Sequence, residues 1–260
     1  MKKQNDLVGI MLALAKCFFI LVIFILVPNT ISLIVRLIIK DTDMYLATSV
    51  PIMMASYAII VLFFAIQYWF QRKSLFESAG IVKTSYGISF SSCLLGIGTY
   101  GVIQAIMFAA AFILPKSWLE LQNDHSSSIM SGGMVVAVIY TIVVAPFCEE
   151  LVFRGLLTET LNEKAPKFAV VLLPAVLFSL VHLPSPIAIL YTFVLGIVLG
   201  IIRLRTKSLV PCILLHSLFN ATNYMLYIPK SIGLYIVWAV SIPLIVLATI
   251  SIIRQTKKGE

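Results

Sequence analysis

Along the 260 residues, apolar runs long enough to cross a bilayer alternate with short polar turns. The runs fall near 8–35, 45–70, 88–114, 133–158, 168–183, 186–202, 209–228 and 231–253. A bilayer span needs roughly 20 predominantly apolar residues, and these runs leave no length for a separate soluble domain. The pattern predicts an all-α fold, a polytopic membrane helix bundle of about eight transmembrane helices, with residues 1–260 as a single membrane domain. The first run, Leu7 to Val27, exceeds the apolar core of a secretory signal, about 7–15 residues, so it is expected to be retained as the first helix.

Composition sharpens this picture. The chain is 60% hydrophobic and 12% charged, with a mean hydropathy of +1.04, far from a soluble globular domain. Its formal charge of +8 comes from residues scattered among short turns, which argues against a nucleic-acid partner. Eight crossings place both termini on one side, together with Lys2, Lys3, Arg72, Lys73, Lys83, Lys164, Lys167, Arg203, Arg205, Lys207, Arg254, Lys257 and Lys258. The other side holds Arg36, Lys40, Lys116 and Lys230. Thirteen against four predicts a multi-pass protein of the cell membrane with both termini in the cytoplasm. The cysteines, Cys17, Cys93, Cys148 and Cys212, lie inside apolar runs without paired spacing, so neither a disulfide framework nor a zinc ribbon is indicated.

Against this background Glu149, Glu150 and Arg154 stand out, because they interrupt the fourth run. A charge near the bilayer centre costs roughly 2.5–3.5 kcal/mol on insertion scales. Glu150 and Arg154 are four apart and share a helix face, whereas Glu149 is turned by about 100° and has no basic neighbour at helical spacing. Glu150 is therefore read as neutralised and Glu149 as a free carboxylate, a candidate general base. Pro146 lacks an amide hydrogen and predicts a bend one turn before the acids.

Two histidines also fall within predicted spans, His182 in the fifth and His216 in the seventh, the latter with Asn220 one turn on. Counted from the side of the termini at 1.5 Å per residue, Glu149, His182, His216 and Asn220 lie roughly 18, 21, 12 and 18 Å deep. One carboxylate, two imidazoles and a carboxamide at a common level suit amide hydrolysis. Glu149 with His182 would polarise a water, and His216 with Asn220 would donate to the oxyanion. Glu149, His182 and His216 are also acceptable zinc ligands. There is no His-Glu-x-x-His motif and no Gly-x-Ser-x-Gly elbow, so a zincin or an elbow-type serine hydrolase is not indicated.

The ordered set Glu149-Glu150-x-x-x-Arg154, Phe178-x-x-x-His182 and His216-x-x-x-Asn220 resembles the CPBP family of intramembrane proteases, also called the Abi or type II CAAX prenyl protease family. The resemblance covers a motif-bearing core at 133–228. It implies an eight-helix bundle with a site inside the bilayer, open to the cytoplasmic side. It assigns water activation to Glu149 with His182, the oxyanion hole to His216 with Asn220, and support of Glu149 to Glu150 and Arg154. The family has been described both as metalloproteases and as metal-independent glutamate proteases. The free carboxylate and the amide in the set favour the metal-free form here, with zinc on Glu149, His182 and His216 as the alternative.

The expected activity is thus an intramembrane endopeptidase acting on a peptide or membrane-associated protein near the cytoplasmic face. Family substrates range from prenylated C-terminal peptides to bacterial peptide precursors, and some members serve in bacteriocin immunity. The competing reading is a non-catalytic membrane immunity or binding protein against a bacteriocin-like peptide, and a third is a proton-coupled transporter. Oligomeric state is left open.

Four further features carry blander expectations. Lys16 is read as snorkelling toward the cytoplasmic surface. Gly196 and Gly200 are read as a close helix approach within the chain. The segment 71–87 is read as a cytoplasmic linker, and 115–132, with His125, as a solvated external turn.

Overall fold

A computed structural model describes residues 2–225 and 230–257. Residues 226–228 of the seventh predicted span, and Lys258, lie outside the described residues. In chain order the helices are α1 (Lys2–Ile38), α2 (Thr42–Phe70), the short α3 (Leu75–Ser78), α4 (Tyr86–Ala110), α5 (Lys116–Met130), α6 (Met134–Asn162), α7 (Lys167–Leu180), α8 (Pro186–Thr206), α9 (Val210–Met225) and α10 (Lys230–Lys257). No strand occurs among the described residues. The fold is an all-α polytopic membrane bundle.

Six described stretches are long and apolar enough to cross a bilayer, in α1, α2, α4, α6, α8 and α10. The described residues do not confirm the expected count of eight. The 14 residues of α7 extend only about 21 Å, short of a hydrocarbon core of about 30 Å. Large apolar side chains such as Leu12, Phe18, Leu62, Trp69, Val135 and Leu247 are exposed. An apolar surface of this extent on several helices is what a lipid-facing exterior requires.

The turns are set by short polar caps. Asp41 accepts from the Met44 amide at 2.8 Å, Ser85 from Ile88 at 3.1 Å and Ser185 from Ala188 at 3.1 Å, and each bond satisfies an otherwise orphaned donor at a helix start. Within the bundle α4 packs along α9 and α10, α7 along α8, and α1 along α2, while α6 touches α1, α2, α7 and α9. A Cβ on Gly96 would collide with the backbone carbonyl of Leu215, and one on Gly196 would stand 3.0 Å from the Cα of Ala175 and 3.2 Å from an Arg154 terminal nitrogen. The Gly196/Gly200 pattern therefore serves packing within the chain, against α7.

Two connecting segments differ from their sequence reading. The expected external turn at 115–132 contains the amphipathic helix α5, tethered where Gln122 accepts from the Ser185 hydroxyl at 2.7 Å and Ser49 donates to the Ser128 carbonyl at 3.1 Å. The linker 71–87 is built into the bundle. Leu75 and Ala79 are buried, the Gly80 carbonyl accepts from the Leu209 amide at 2.7 Å, and the Val82 carbonyl accepts from the Ser208 hydroxyl at 2.7 Å.

Gly96→Val should force α4 away from α9 and cost about 1–3 kcal/mol, as overpacking does. The reading is a lowered thermal midpoint in detergent. Gly9→Ala, where an added Cβ meets only Lys164 side-chain atoms at 3.7 and 3.9 Å, should leave the midpoint undiminished.

Candidate active site

The two acids sit in a short α-helical stretch, Ala145–Glu150, framed by two wide, π-helical turns at Tyr140–Val144 and Leu151–Leu157. Pro146 offers no amide hydrogen for an ordinary helical bond, and the wide turn just before it re-registers the ladder, with the Ala145 amide reaching back to Tyr140. The predicted bend thus takes the form of a change in helical pitch, a device that recurs at functional sites.

Glu150 and Arg154 form the expected pair. Arg154 Nη1 lies 3.0 Å from Glu150 Oε1 and both side chains are fully buried. Nη2 donates to the Gly196 carbonyl at 3.3 Å, and the guanidinium stands 4.4 Å from the centroid of the Phe178 ring, a cation–π contact in a water-poor setting. The same Glu150 Oε1 lies 2.9 Å from His216 Nδ1. Paired with a carboxylate, Nδ1 carries its hydrogen, so Nε2 is the atom presented toward Glu149, 3.9 Å from Oε2.

Glu149 is 7% exposed and its Oε1 accepts a hydrogen bond from the Tyr57 hydroxyl at 2.9 Å. Tyr57 comes from α2 and had no sequence signal, since a lone tyrosine in an apolar span reads as core. His182 lies in the turn beyond the end of α7, with Nδ1 on the Phe178 carbonyl at 2.9 Å. As the donor there, Nδ1 leaves Nε2 as an acceptor. The Phe178 ring is in edge contact with both imidazoles, at 5.0 Å from His182 and 5.7 Å from His216. Asn220 donates through Nδ2 to the Thr141 carbonyl at 2.8 Å, which leaves its second N–H and its oxygen uncommitted to that bond.

Glu149, His182, His216 and Asn220 all line one cavity of about 500 Å3. Gln104, Gln122, His125, Tyr191, Asn223 and Tyr224 also line it. Among the described residues no lysine, arginine or aspartate does. The placement of His125 corrects the reading of that residue as a solvated histidine of no consequence. α5 turns it inward, and burial holds its imidazole below the usual value. Among the described residues no group of three His, Cys, Asp or Glu side chains is arranged to hold a metal.

The cavity lies on the α5 side of the acids. On the other side Glu150, Arg154, Leu157, Ala79 and Leu209 are fully buried. Arg203, expected in a polar turn, is 4% exposed. It donates to the Arg154 carbonyl at 3.1 Å and the Ala79 carbonyl at 3.4 Å, and it pairs with Glu159.

Residues 131–222 match the family model described as Type II CAAX prenyl endopeptidase Rce1-like. A curated relative from Bacillus subtilis (strain 168), named Putative membrane peptidase YdiL, is 25% identical over 138 residues, 53% of this chain and 56% of that protein. The chain thus spans about half the length of that relative. No solved structure matches.

Arg154→Met should leave Glu150 buried without its cation and lower stability by about 3–5 kcal/mol. The double variant Glu150→Gln with Arg154→Met removes both charges and should lose less. Thermal midpoints of the purified proteins compare the two, and equal losses would show that the ion pair does not anchor the helix.

Proposed function

We propose, for a chain that belongs through residues 131–222 to the CPBP family of intramembrane proteases, that it is an endopeptidase cutting a peptide or membrane-associated protein at a site within the bilayer. The observation that carries this reading is the meeting of Glu149, His182, His216 and Asn220 on one cavity, although they come from two helices and a turn. A carboxylate and an imidazole acceptor facing one cavity are what activation of a water needs.

In this reading Glu149 takes the proton of a water that His182 Nε2 helps to orient. The water oxygen adds to the carbonyl carbon of the scissile amide, and the charge gathers on the carbonyl oxygen. His216 Nε2, when protonated, and the free N–H of Asn220 supply hydrogen bonds to that oxygen. Glu150 on Nδ1 holds the His216 ring in place, a positioning role like that of a carboxylate behind a catalytic histidine. The proton held by Glu149 then passes to the leaving amine as the carbon–nitrogen bond breaks. Tyr57 fixes the Glu149 carboxylate through Oε1 and leaves Oε2 on the His216 side. No step is routed through a metal.

Glu149→Gln and His182→Ala should each abolish cleavage, a loss of about 10²–10⁴-fold for a missing acid–base group, while membrane abundance stays unchanged. The measurement compares membrane peptides from cells carrying the active protein with those from cells carrying each variant. Cleavage retained in Glu149→Gln would remove the peptidase reading. Tyr57→Phe, which deletes one hydrogen bond to a carboxylate, should slow turnover roughly tenfold or more without abolishing it.

A further inference from the structure

We infer that substrate reaches the cavity from the extracytoplasmic face, so that the polypeptide cut is one presented at the outer surface of the membrane. This rests on the reading of the cavity as the catalytic site, and three observations carry it. First, the bundle is closed on one side of the acids. Glu150 and Arg154 are fully buried, and the layer beyond them, with Leu157, Ala79 and Leu209, is equally closed. Arg203 ties that layer together through the Arg154 and Ala79 carbonyls.

Second, the cavity extends the other way. It runs from Glu149 past Thr141, on the preceding turns of α6, to Gln122, His125 and Ser126 of α5. α5 leaves Lys116, Glu120, Asp124 and Ser126 exposed while Gln122 and His125 are half-buried. A short helix with one charged, solvated face and one face on a cavity sits at the water boundary, not in hydrocarbon.

Third, the charge asymmetry orients the bundle. The connections at the α5 end carry few basic residues, and the closed end carries Arg72, Lys73, Lys83, Lys164, Lys167 and Lys207. Basic connections stay in the cytoplasm, which puts α5 and the mouth of the cavity outside. Substrates entering there are exported peptides or the outer juxtamembrane stretches of anchored proteins.

The test is the accessibility of single introduced cysteines in intact cells to a permanently charged, membrane-impermeant thiol reagent. Ser126→Cys lines the cavity at the α5 end, and Glu163→Cys is exposed in the connection of α6 to α7 at the closed end. The unaltered chain, with Cys17, Cys148 and Cys212 buried and Cys93 half-buried, is the background. The expected result is labelling of Ser126→Cys in intact cells and of Glu163→Cys only after permeabilisation. The reverse pattern overturns the inference and returns the cavity to the cytoplasmic face. Labelling needs no turnover, so its outcome stands whatever Glu149→Gln does to cleavage. Where cleavage is measurable, labelled Ser126→Cys should lose it, and full labelling with undiminished cleavage would show that substrate enters elsewhere.

Discussion

Arg154 carries a full charge at a position with no access to solvent, and the centre of the bundle is arranged around neutralising it. Glu150 supplies the counter-charge from one turn away, Gly196 a carbonyl from α8, and Phe178 a ring face from α7. A buried ion pair rarely adds net stability over apolar packing, yet breaking it leaves a stranded charge. Its value is therefore in specificity of arrangement. Because the guanidinium has a fixed fork of donors, the elements that meet it are held at set distances. The absence of a side chain on Gly196, where a Cβ would stand 3.2 Å from that guanidinium, allows the approach.

The consequences pass outward from that pair. Glu150 gives the same oxygen to His216, so the ion pair also sets which ring nitrogen of His216 turns toward Glu149. The backbone of Arg154 continues the network in the opposite direction, through Arg203 to Glu159 and the Ala79 carbonyl. One arginine thus organises the site on one side and a closed base on the other. Adjacent acids a third of a turn apart do not both meet Arg154, and this leaves Glu149 facing the cavity, bonded to the Tyr57 hydroxyl and 3.9 Å from His216 Nε2.

How much of this was legible in the sequence depends on distance along the chain. The Glu150–Arg154 pair was readable because a separation of four on a helix has one meaning, and the Gly196/Gly200 pattern because small residues one turn apart permit close packing. Counting depth put Glu149, His182, His216 and Asn220 at a common level, since rise per residue is fixed. Azimuth and closure were not readable. Tyr57 lies 92 residues before its partner, and nothing in α2 distinguishes its hydroxyl from that of a core tyrosine. In α5, the Asp124-His125-Ser126-Ser127-Ser128 run reads as a solvated turn, because serine and aspartate favour turns locally. Its helix is held by partners distant in the chain, at Ser185 and Ser49. Depth along an axis also says nothing of which end of the bundle is packed shut.

The two neighbouring carboxylates stand in opposite surroundings. Glu149 lines the cavity, while the Glu150–Arg154 pair gains strength from the exclusion of water, since the attraction rises as the local dielectric falls. The bundle separates the two along the axis of α6. Above the acids the wide turn at Tyr140–Val144 and the half-buried polar groups of Thr141, Gln122 and His125 border the cavity of about 500 Å3. Below them a second wide turn at Leu151–Leu157 brings Phe153, Leu156 and Leu157 into a closed apolar layer. A regular helix would have carried both acids through a single environment. The two changes of pitch divide cavity from closed layer at the Glu149–Glu150 peptide bond, so that one carboxylate lines the cavity while the next holds the ion pair.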